Sequence, residues 1–197
     1  MAQSTGKYKK AIALLRQGGV GVLPTDTIYG LVGSARSPEA VARMYRLRRR
    51  DLRKPPIILI GEMEDLKEFN VRLSPRLKKQ LARWWPGKVS VVLTINHAAP
   101  ARRRSLAYLH RGTGTLAFRL PKPEWLRRLL RQTGPLIAPS ANPEGYPPAK
   151  TVRAARRYFG RRADFYADAG RLDSRPSTLV KAAGGKITVL RPGAARV

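Results

Sequence analysis

Short apolar segments alternate with amphipathic ones along the chain, and this alternation predicts its secondary structure. Runs of about four to eight mostly apolar residues, bounded by Gly or Pro, are typical of buried strands. Such runs are Val20–Pro24, Pro55–Ile60, Lys88–Ile95, Thr115–Leu120 and the segment 135–138. The stretch 177–193 predicts a terminal hairpin that turns at Gly184-Gly185.

Helices are predicted in the amphipathic segments between these strands. Ser37-Pro38 and Ser74-Pro75 mark two helix starts, because a serine side chain caps free backbone amides and proline fits the first turn. The first helix is expected to begin around Lys7, after Gly6, and to end at Gly18-Gly19. The other predicted helices cover 37–50, 74–85, 123–132 and 151–160.

The alternation of strands and helices continues without a break in composition, which favours an α/β fold. We expect a single mixed, twisted sheet flanked by helices, in one domain over residues 1–197. The pattern does not fit a helical bundle or a small β-barrel. The segment 97–112 is predicted to be a flexible surface segment.

The net charge is the most unusual property of the sequence. The chain has 40 Lys and Arg against 12 Asp and Glu, and its formal net charge is +28. Such a surface attracts polyanions and anionic small molecules. The alternative is that this protein comes from a lineage whose proteins are generally basic, and that its Arg residues serve solubility and bind no particular ligand. Because the basic residues are spread from end to end, the charge alone predicts no sequence-specific readout of nucleic acid.

Composition also excludes several chemistries. The chain has no Cys, which excludes disulfides and thiolate metal sites. His97 and His110 alone cannot form a zinc site of the usual kind, and we expect no protein residue to ligate a metal. No apolar run approaches the roughly 20 residues that span a bilayer. The N-terminal segment is typical of an amphipathic helix, so a cytoplasmic protein without a membrane partner is expected.

Polar side chains follow the first predicted strand, at a place where α/β sheets bind ligands. They are Thr25, Asp26, Thr27 and Tyr29. A hydroxyl group both donates and accepts, which suits a ligand that carries an ammonium and a hydroxyl group. The alternative is a turn in which Thr25 or Asp26 bonds to nearby backbone.

Cationic side chains form the second set of candidates. Arg48, Arg50 and Lys54 lie at a predicted helix end and just beyond it. They are either a clamp for phosphate and carboxylate groups or a complement to the helix dipole. Arg119 lies in an otherwise apolar strand, and a buried Arg needs an anionic partner or an exit to solvent. Because acidic residues are scarce, a ligand anion is a candidate for that partner.

Small polar residues complete the candidates. Ser140 and Asn142 lie between prolines, in either a plain loop or a rigid rim that presents a hydroxyl and an amide group to a ligand. Ser90 lies in a strand, and Ser177 and Arg191 lie at the start and end of the predicted hairpin. These three are ordinary strand or turn residues unless they face a ligand. The chain has neither a Walker A loop nor a GxGxxG motif.

Taken together, the order and spacing of these segments resemble the YrdC/YciO family, which includes the threonylcarbamoyl-AMP synthases. The chain is similar to the short, single-domain type. The matching segments cover nearly the whole chain: PTDTIYGL, LRRRDLRKPPIILI, WPGKVSVVLTI, GTLAFRLP, APSANPEGYPPAKTV, STLV and LRPG.

The resemblance implies a YrdC-like sheet and a nucleotidyltransferase activity. L-threonine, bicarbonate or CO2, and ATP with Mg²⁺ would give threonylcarbamoyl-AMP and pyrophosphate. The product would pass to the transferase machinery that forms N6-threonylcarbamoyladenosine (t6A) in tRNA. Transfer RNA or double-stranded RNA is a candidate partner. One alternative is an RNA-binding protein with weak or no synthase activity, and another is a carbamoyl-adenylate enzyme with a different acceptor.

The resemblance also implies roles for individual residues. Thr25, Tyr29 and Arg50 would hold threonine, and Arg48 and Arg50 would be the catalytic cations. The expected ATP-binding residues are Arg48, Lys54, Ser90, Arg119, Ser140, Asn142, Ser177 and Arg191.

Four positions depart from the family pattern. Arg48 and Ser90 replace a common Lys and a common Thr, and Leu59 stands where some relatives have His. Glu144 replaces a small hydroxyl residue before Gly145, and a carboxylate there would repel phosphates unless it turns outward. These departures concern threonine specificity more than nucleotide binding, and they leave the YciO branch open.

Overall fold

A nine-stranded mixed sheet forms the centre of the computed structural model, which describes residues 8–96, 100–183 and 185–197. The spatial order of the strands is β7-β1-β2-β6-β3-β5-β4-β8-β9. The strands are β1 Gly21–Leu23, β2 Gly30–Ser34, β3 Ile57–Leu59, β4 Val89–Thr94, β5 Thr115–Arg119, β6 Leu136–Ile137, β7 Phe165–Tyr166, β8 Thr178–Ala183 and β9 Lys186–Arg191.

Both strand orientations occur in this sheet. The pairs β1–β7, β3–β5 and β4–β8 are parallel, and the other neighbours are antiparallel. The prediction of a single mixed sheet is therefore confirmed. The five predicted strands and the terminal hairpin are also confirmed, although Gly184 of the predicted turn lies outside the described residues.

Seven α-helices flank the sheet in the described part of the chain. The side chains of Ser37, Ser74 and Thr151 accept hydrogen bonds from amides three residues later, at 3.0, 3.2 and 3.1 Å, and so cap three of them as predicted. The helices are α1 Lys9–Arg16, α2 Pro38–Arg48, α3 Pro75–Leu81, α4 Pro100–Ser105, α5 Ala107–His110, α6 Glu124–Thr133 and α7 Val152–Phe159, with 3₁₀ turns at Met63–Phe69 and Gly160–Arg162.

Three features differ from the sequence-based expectations or lie beyond the described residues. The predicted start of the first helix, Lys7, and the residue before it, Gly6, are outside the described part, as is His97. The prediction of a flexible surface segment over 97–112 is right about the surface position of residues 100–105, none of which is buried, and it missed that most of this segment is helical. That part forms α4 and α5, because Leu106 and Leu109 are buried in the main core and hold the helices against the sheet.

Two apolar clusters make up the core. The larger one contains Val91, Phe118 and Val180 of the sheet together with residues of α2, α5 and α7. The smaller one packs α1 and α6 against strand residues that include Leu59. Arg119 is the register partner of Leu59 in the parallel pair β3–β5, so it lies on the same face of the sheet as that smaller cluster. No described helix has the length and apolar character needed to cross a membrane.

Candidate functional site

A cleft with about 560 Å³ of empty space, part of it open to solvent, collects most of the candidate residues. Four arginines contribute to its walls, and no Asp or Glu is among the described residues that line it. The lining residues are Thr25, Thr27, Ile28, Gly30, Arg48, Arg50, Ile57, Arg119, Ala138, Pro139, Ser140, Pro176, Ser177 and Arg191.

The sheet topology brings these distant segments together. The loop after β1 supplies Thr25 and Thr27, and the end of β5 supplies Arg119. An isolated bridge between Gly30 and Ser140 fixes the loop after β6 against the start of β2. The segments before β8 and at the end of β9 complete the rim. Ligand sites at strand ends are the rule in α/β sheets, as the sequence suggested.

A short chain of hydroxyl groups lines one wall of the cleft. Thr25 Oγ1 donates to the carbonyl of Ile28 at 2.7 Å and lies 3.1 Å from Thr27 Oγ1. Arg119 Nη1 donates to Thr27 Oγ1 at 3.2 Å. Thr25 therefore stabilises a turn, as one interpretation predicted, and it also lines the cleft, while its contact with a ligand stays a prediction. Thr27, which was not among the predicted ligand residues, joins the hydroxyl wall to the Arg119 guanidinium.

The partner of Arg119 is Asp26. Their side chains are 5% and 4% exposed, and Arg119 Nη2 lies 3.2 Å from Asp26 Oδ1. Neither carboxylate oxygen of Asp26 has a hydrogen bond among the described residues. Burial lowers the pKa of Arg119, and the Asp26 charge opposes that shift. The buried arginine is thus neutralised by this protein's own carboxylate while one edge of it faces the cleft.

Arg48 is also buried, and it joins α2 to the loop after β6. Its Nε donates to the carbonyl of Asn142 at 2.9 Å, and its Nη2 donates to Ser140 Oγ at 3.2 Å. Its Nη1 has no hydrogen-bond partner among the described residues. Burial, followed by the charge of Arg50, lowers the pKa of Arg48 to about 10. An anionic ligand would supply the missing charge and an acceptor for Nη1.

Arg50 and Arg191 carry the remaining charge of the cleft. Arg50 donates from Nε to the Lys54 carbonyl and from Nη2 to the Pro55 carbonyl, each at 3.2 Å. Arg191 Nη2 donates to the carbonyl of Ser177 at 2.8 Å, which attaches β9 to the segment before β8. Burial, followed by the charge of Arg50, lowers the pKa of Arg191. The positive charge of Arg50 therefore disfavours the charged form of Arg191, and an anionic ligand bound between them would relieve that repulsion.

Four predicted ligand residues lie beside the cleft and do not line it. Tyr29 is fully buried, and its hydroxyl donates to Asp168 Oδ1 and the Gly170 carbonyl. Ser90 is fully buried with its Oγ 2.8 Å from Ser177 Oγ. The remaining two are Asn142 and Lys54.

The loop after β6 contains Asn142. The Asn142 side chain is buried, and its Nδ2 donates to the carbonyls of Pro143 and Tyr146 at 2.8 and 2.7 Å. It therefore braces the proline-bounded loop that presents Ser140. Lys54 is paired with Glu144 at 2.5 Å instead of facing the cleft.

The fold and this cleft define an α/β protein with a cationic, hydroxyl-lined site suited to an anionic small molecule. The family model described as "Sua5_yciO_yrdC: Telomere recombination" matches residues 13–193. The chain belongs to this Sua5/YciO/YrdC family, as its sequence motifs suggested.

Two curated relatives match over at least nine-tenths of their own length. A threonylcarbamoyl-AMP synthase of Thiobacillus denitrificans is 38% identical over 178 residues, which are 89% of this chain and 90% of the relative. A threonylcarbamoyl-AMP synthase of Hahella chejuensis is 34% identical over 91% of this chain and 95% of the relative.

Solved structures share the fold. P. abyssi Sua5 complexed with L-threonine superposes with a TM-score of 0.85 at 27% identity over 98% of this chain. This chain spans 56% of that longer one. E. coli YciO superposes with a TM-score of 0.83 at 20% identity over 98% of this chain and 92% of its own, and at that identity it supports the fold alone.

Proposed function

We propose that this protein is a threonylcarbamoyl-AMP synthase, a nucleotidyltransferase that supplies the t6A modification of tRNA. It converts L-threonine, bicarbonate or CO2, and ATP into threonylcarbamoyl-AMP and pyrophosphate. Near full-length relatives at 34% and 38% identity bear that name. The observation that carries the proposal is the convergence of Thr25, Arg50, Arg119, Ser140 and Arg191 on one cleft, whose described lining residues include no Asp or Glu.

The chemistry needs positioned cations more than a protein nucleophile. The amine of threonine attacks CO2 to form a carbamate, and a carbamate oxygen attacks the α-phosphorus of ATP while pyrophosphate leaves. Both the attacking group and the phosphates are anionic, so arginines that neutralise and align them lower the barrier. None of the described residues that line the cleft carries a carboxylate that would repel these groups.

The lining residues divide between the two ends of the product. Thr25 contacts the threonine part, and Arg50 binds its carboxylate or the phosphates. Arg48, Arg119 and Ser140 bind the nucleotide and phosphate side, with Ser177 and Arg191 near the α-phosphate.

The predicted residues that do not line the cleft act indirectly in this proposal. Tyr29 holds the segment around Asp168 and Gly170, Ser90 orients Ser177, and Asn142 braces the loop that presents Ser140. We assign Lys54 no direct contact with ATP in the geometry described.

Magnesium belongs to this proposal as part of the ATP substrate. Among the described residues, no three His, Asp or Glu side chains lie close enough together to hold a metal ion. The arginine-rich lining instead suits the oxygens of a phosphate chain. Mg²⁺ would therefore enter bound to the triphosphate.

We place the reaction in the cytoplasm, with t6A transferase machinery as the acceptor of the adenylate. An RNA-binding protein with little synthase activity is a second candidate. The formal charge of +28 is the observation that favours it.

The decisive experiment is mass-spectrometric detection of threonylcarbamoyl adenylate with the purified protein. Product and pyrophosphate are expected only when threonine, bicarbonate and ATP are all present, and serine in place of threonine measures specificity. Arg50→Ala should abolish the product. Arg46→Ala is the matched control, because Arg46 is exposed on α2, the helix that precedes Arg50 in the chain, and does not line the cleft. Salt-sensitive RNA binding without pyrophosphate release would instead support the second candidate.

A further inference from the structure

Glu144 connects the two loops that carry much of the cleft's charge and polarity. The first, here called the arginine loop, is residues 49–55, and the second, the serine loop, is residues 139–147. The Glu144 amide donates to the carbonyl of Arg48 at 2.7 Å. Its Oε2 accepts from the amide of Asp51 at 2.7 Å, and its Oε1 accepts from Lys54 Nζ at 2.5 Å. One residue therefore contacts Arg48, at the end of the helix before the arginine loop, and both Asp51 and Lys54 within the loop.

The direction of Arg50 depends on the shape of that loop. The Arg50 guanidinium donates to the carbonyls of Lys54 and Pro55. Tyr45 Oη donates to the same Lys54 carbonyl at 2.7 Å. Among the described residues, Tyr45 and Arg50 are thus the side chains that hold the Lys54 carbonyl in place. Because the carbonyls that orient Arg50 belong to the loop, we expect the direction of the guanidinium to change when the loop between Asp51 and Lys54 shifts.

The Glu144 carboxylate is directed at the loop and does not line the cleft. This orientation removes the repulsion of phosphates that a carboxylate at this position would otherwise cause. The hydrogen bond from Lys54, and then that from the Asp51 amide, lower the pKa of Glu144, so it is ionised at neutral pH. Its charge also raises the pKa of Arg48, against the effects of burial and of Arg50.

We propose that Glu144 is a positioning residue that holds the arginine loop in the shape that directs Arg50 into the cleft. The role of Arg50 as a ligand for ATP or threonine rests on the proposed function. An exposed ion pair contributes little by itself, so the hydrogen bond to the Asp51 amide is the specific part of the contact. Lys54 is occupied by the same carboxylate and is kept from the phosphates.

The test compares Glu144→Ala and Glu144→Gln with a control, Glu68→Ala. Glu68 accepts two hydrogen bonds from Arg36, at 2.8 and 2.5 Å, and neither residue lines the cleft. The control therefore removes a comparable exposed ion pair elsewhere. Thermal denaturation establishes that each variant is folded.

Limited trypsin digestion, with mass spectrometry of the first fragments, measures the loop directly. Cleavage after Arg49, Arg50 and Arg53 is expected to accelerate several-fold in Glu144→Ala and to be unchanged in Glu68→Ala. Glu144→Gln keeps an acceptor for the Asp51 amide, and its cleavage rate should stay near that of the wild type.

Kinetics measure the consequence for the site. Glu144→Ala should raise the KM for ATP roughly ten-fold while kcat changes by less than about two-fold, and Glu144→Gln should recover most of that loss. An unchanged KM, or equal trypsin rates in Glu144→Ala and Glu68→Ala, would overturn the positioning role. If the wild-type protein releases no pyrophosphate, the proposed function fails separately. In that case the dissociation constants of ATP are measured for the wild type and the same variants. Equal constants for the wild type and Glu144→Ala would overturn the positioning role of Glu144.

Discussion

Asp26→Asn removes the charge that neutralises Arg119 in the wall of the cleft. The substitution keeps the size of the side chain, so the main change is electrostatic. The Arg119 guanidinium remains buried, with a hydrogen bond to Thr27 Oγ1 and no carboxylate at 3.2 Å. Because an unpaired buried charge costs far more than a paired one, we expect a substantial loss of stability.

The expected magnitude follows from the burial of both groups. Breaking a buried ion pair from one side typically costs about 3–5 kcal/mol. The lower value applies here, because Arg119 keeps the Thr27 bond and one edge toward the cleft. A loss of about 3 kcal/mol lowers Tm by roughly 6–12 °C in a protein of this length.

The assay is thermal and urea denaturation at neutral pH, with two comparison variants. The double variant Asp26→Asn/Arg119→Met removes both charges and should recover most of the loss, since apolar replacement of a buried pair is often neutral. Asp173→Asn removes an exposed carboxylate that pairs with Lys150 and Arg171, and should cost less than about 1 kcal/mol. A Tm for Asp26→Asn within about 1 °C of the wild type would refute the reasoning, as would a double variant no more stable than the single one.

Three further predictions concern stability in acid, the binding of ATP by Arg48, and the close backbone contact at Gly193. The hydrogen bond from Arg43 holds the pKa of Asp164 in the folded protein below its ordinary value. The ionised Asp164 therefore stabilises the fold at neutral pH, and this stabilisation is lost as the pH falls through the pKa of Asp164 in the folded protein. Asp164→Asn should therefore make the free energy of unfolding less dependent on pH in the acid range. Arg48→Met should weaken the affinity for ATP, measured by calorimetry on protein shown to be folded, because it removes a buried guanidinium whose Nη1 has no hydrogen-bond partner among the described residues; an unchanged affinity would show that Arg48 does not bind the phosphates. Gly193→Ala should destabilise the protein by about 1–3 kcal/mol and lower kcat/KM, because an added Cβ would lie 2.3 Å from the Pro176 carbonyl oxygen.

Much of the fold could be predicted because its signals are local. Ser37, Ser74 and Thr151 cap helices with their own side chains, so each start is determined within four residues of the chain. The five apolar strands were likewise evident from runs of adjacent residues. β2 was missed because Gly30 and Gly33 interrupt its apolar pattern, and β7 was missed because Asp164 and Asp168 flank its two residues closely and leave no apolar run.

The candidate site was predictable as a set of residues, and its detailed arrangement was not. Arg48, Arg50, Arg119 and Ser140 do meet in one cleft. The Glu144 contact with the arginine loop could not be predicted, since it joins residues 93 positions apart.

The sequence by itself determined the order of strands and helices, the excess of positive charge and the types of side chain available for chemistry. Only the tertiary structure decided which of those side chains reach the cleft. Tyr29 and Asn142 follow the same strand ends as their neighbours, yet each is turned aside by hydrogen bonds to backbone carbonyls. The reason is that the local sequence determines only at which point of a strand, helix or loop a side chain is attached. Its direction is set by whichever distant donors and acceptors satisfy its polar atoms once it is buried.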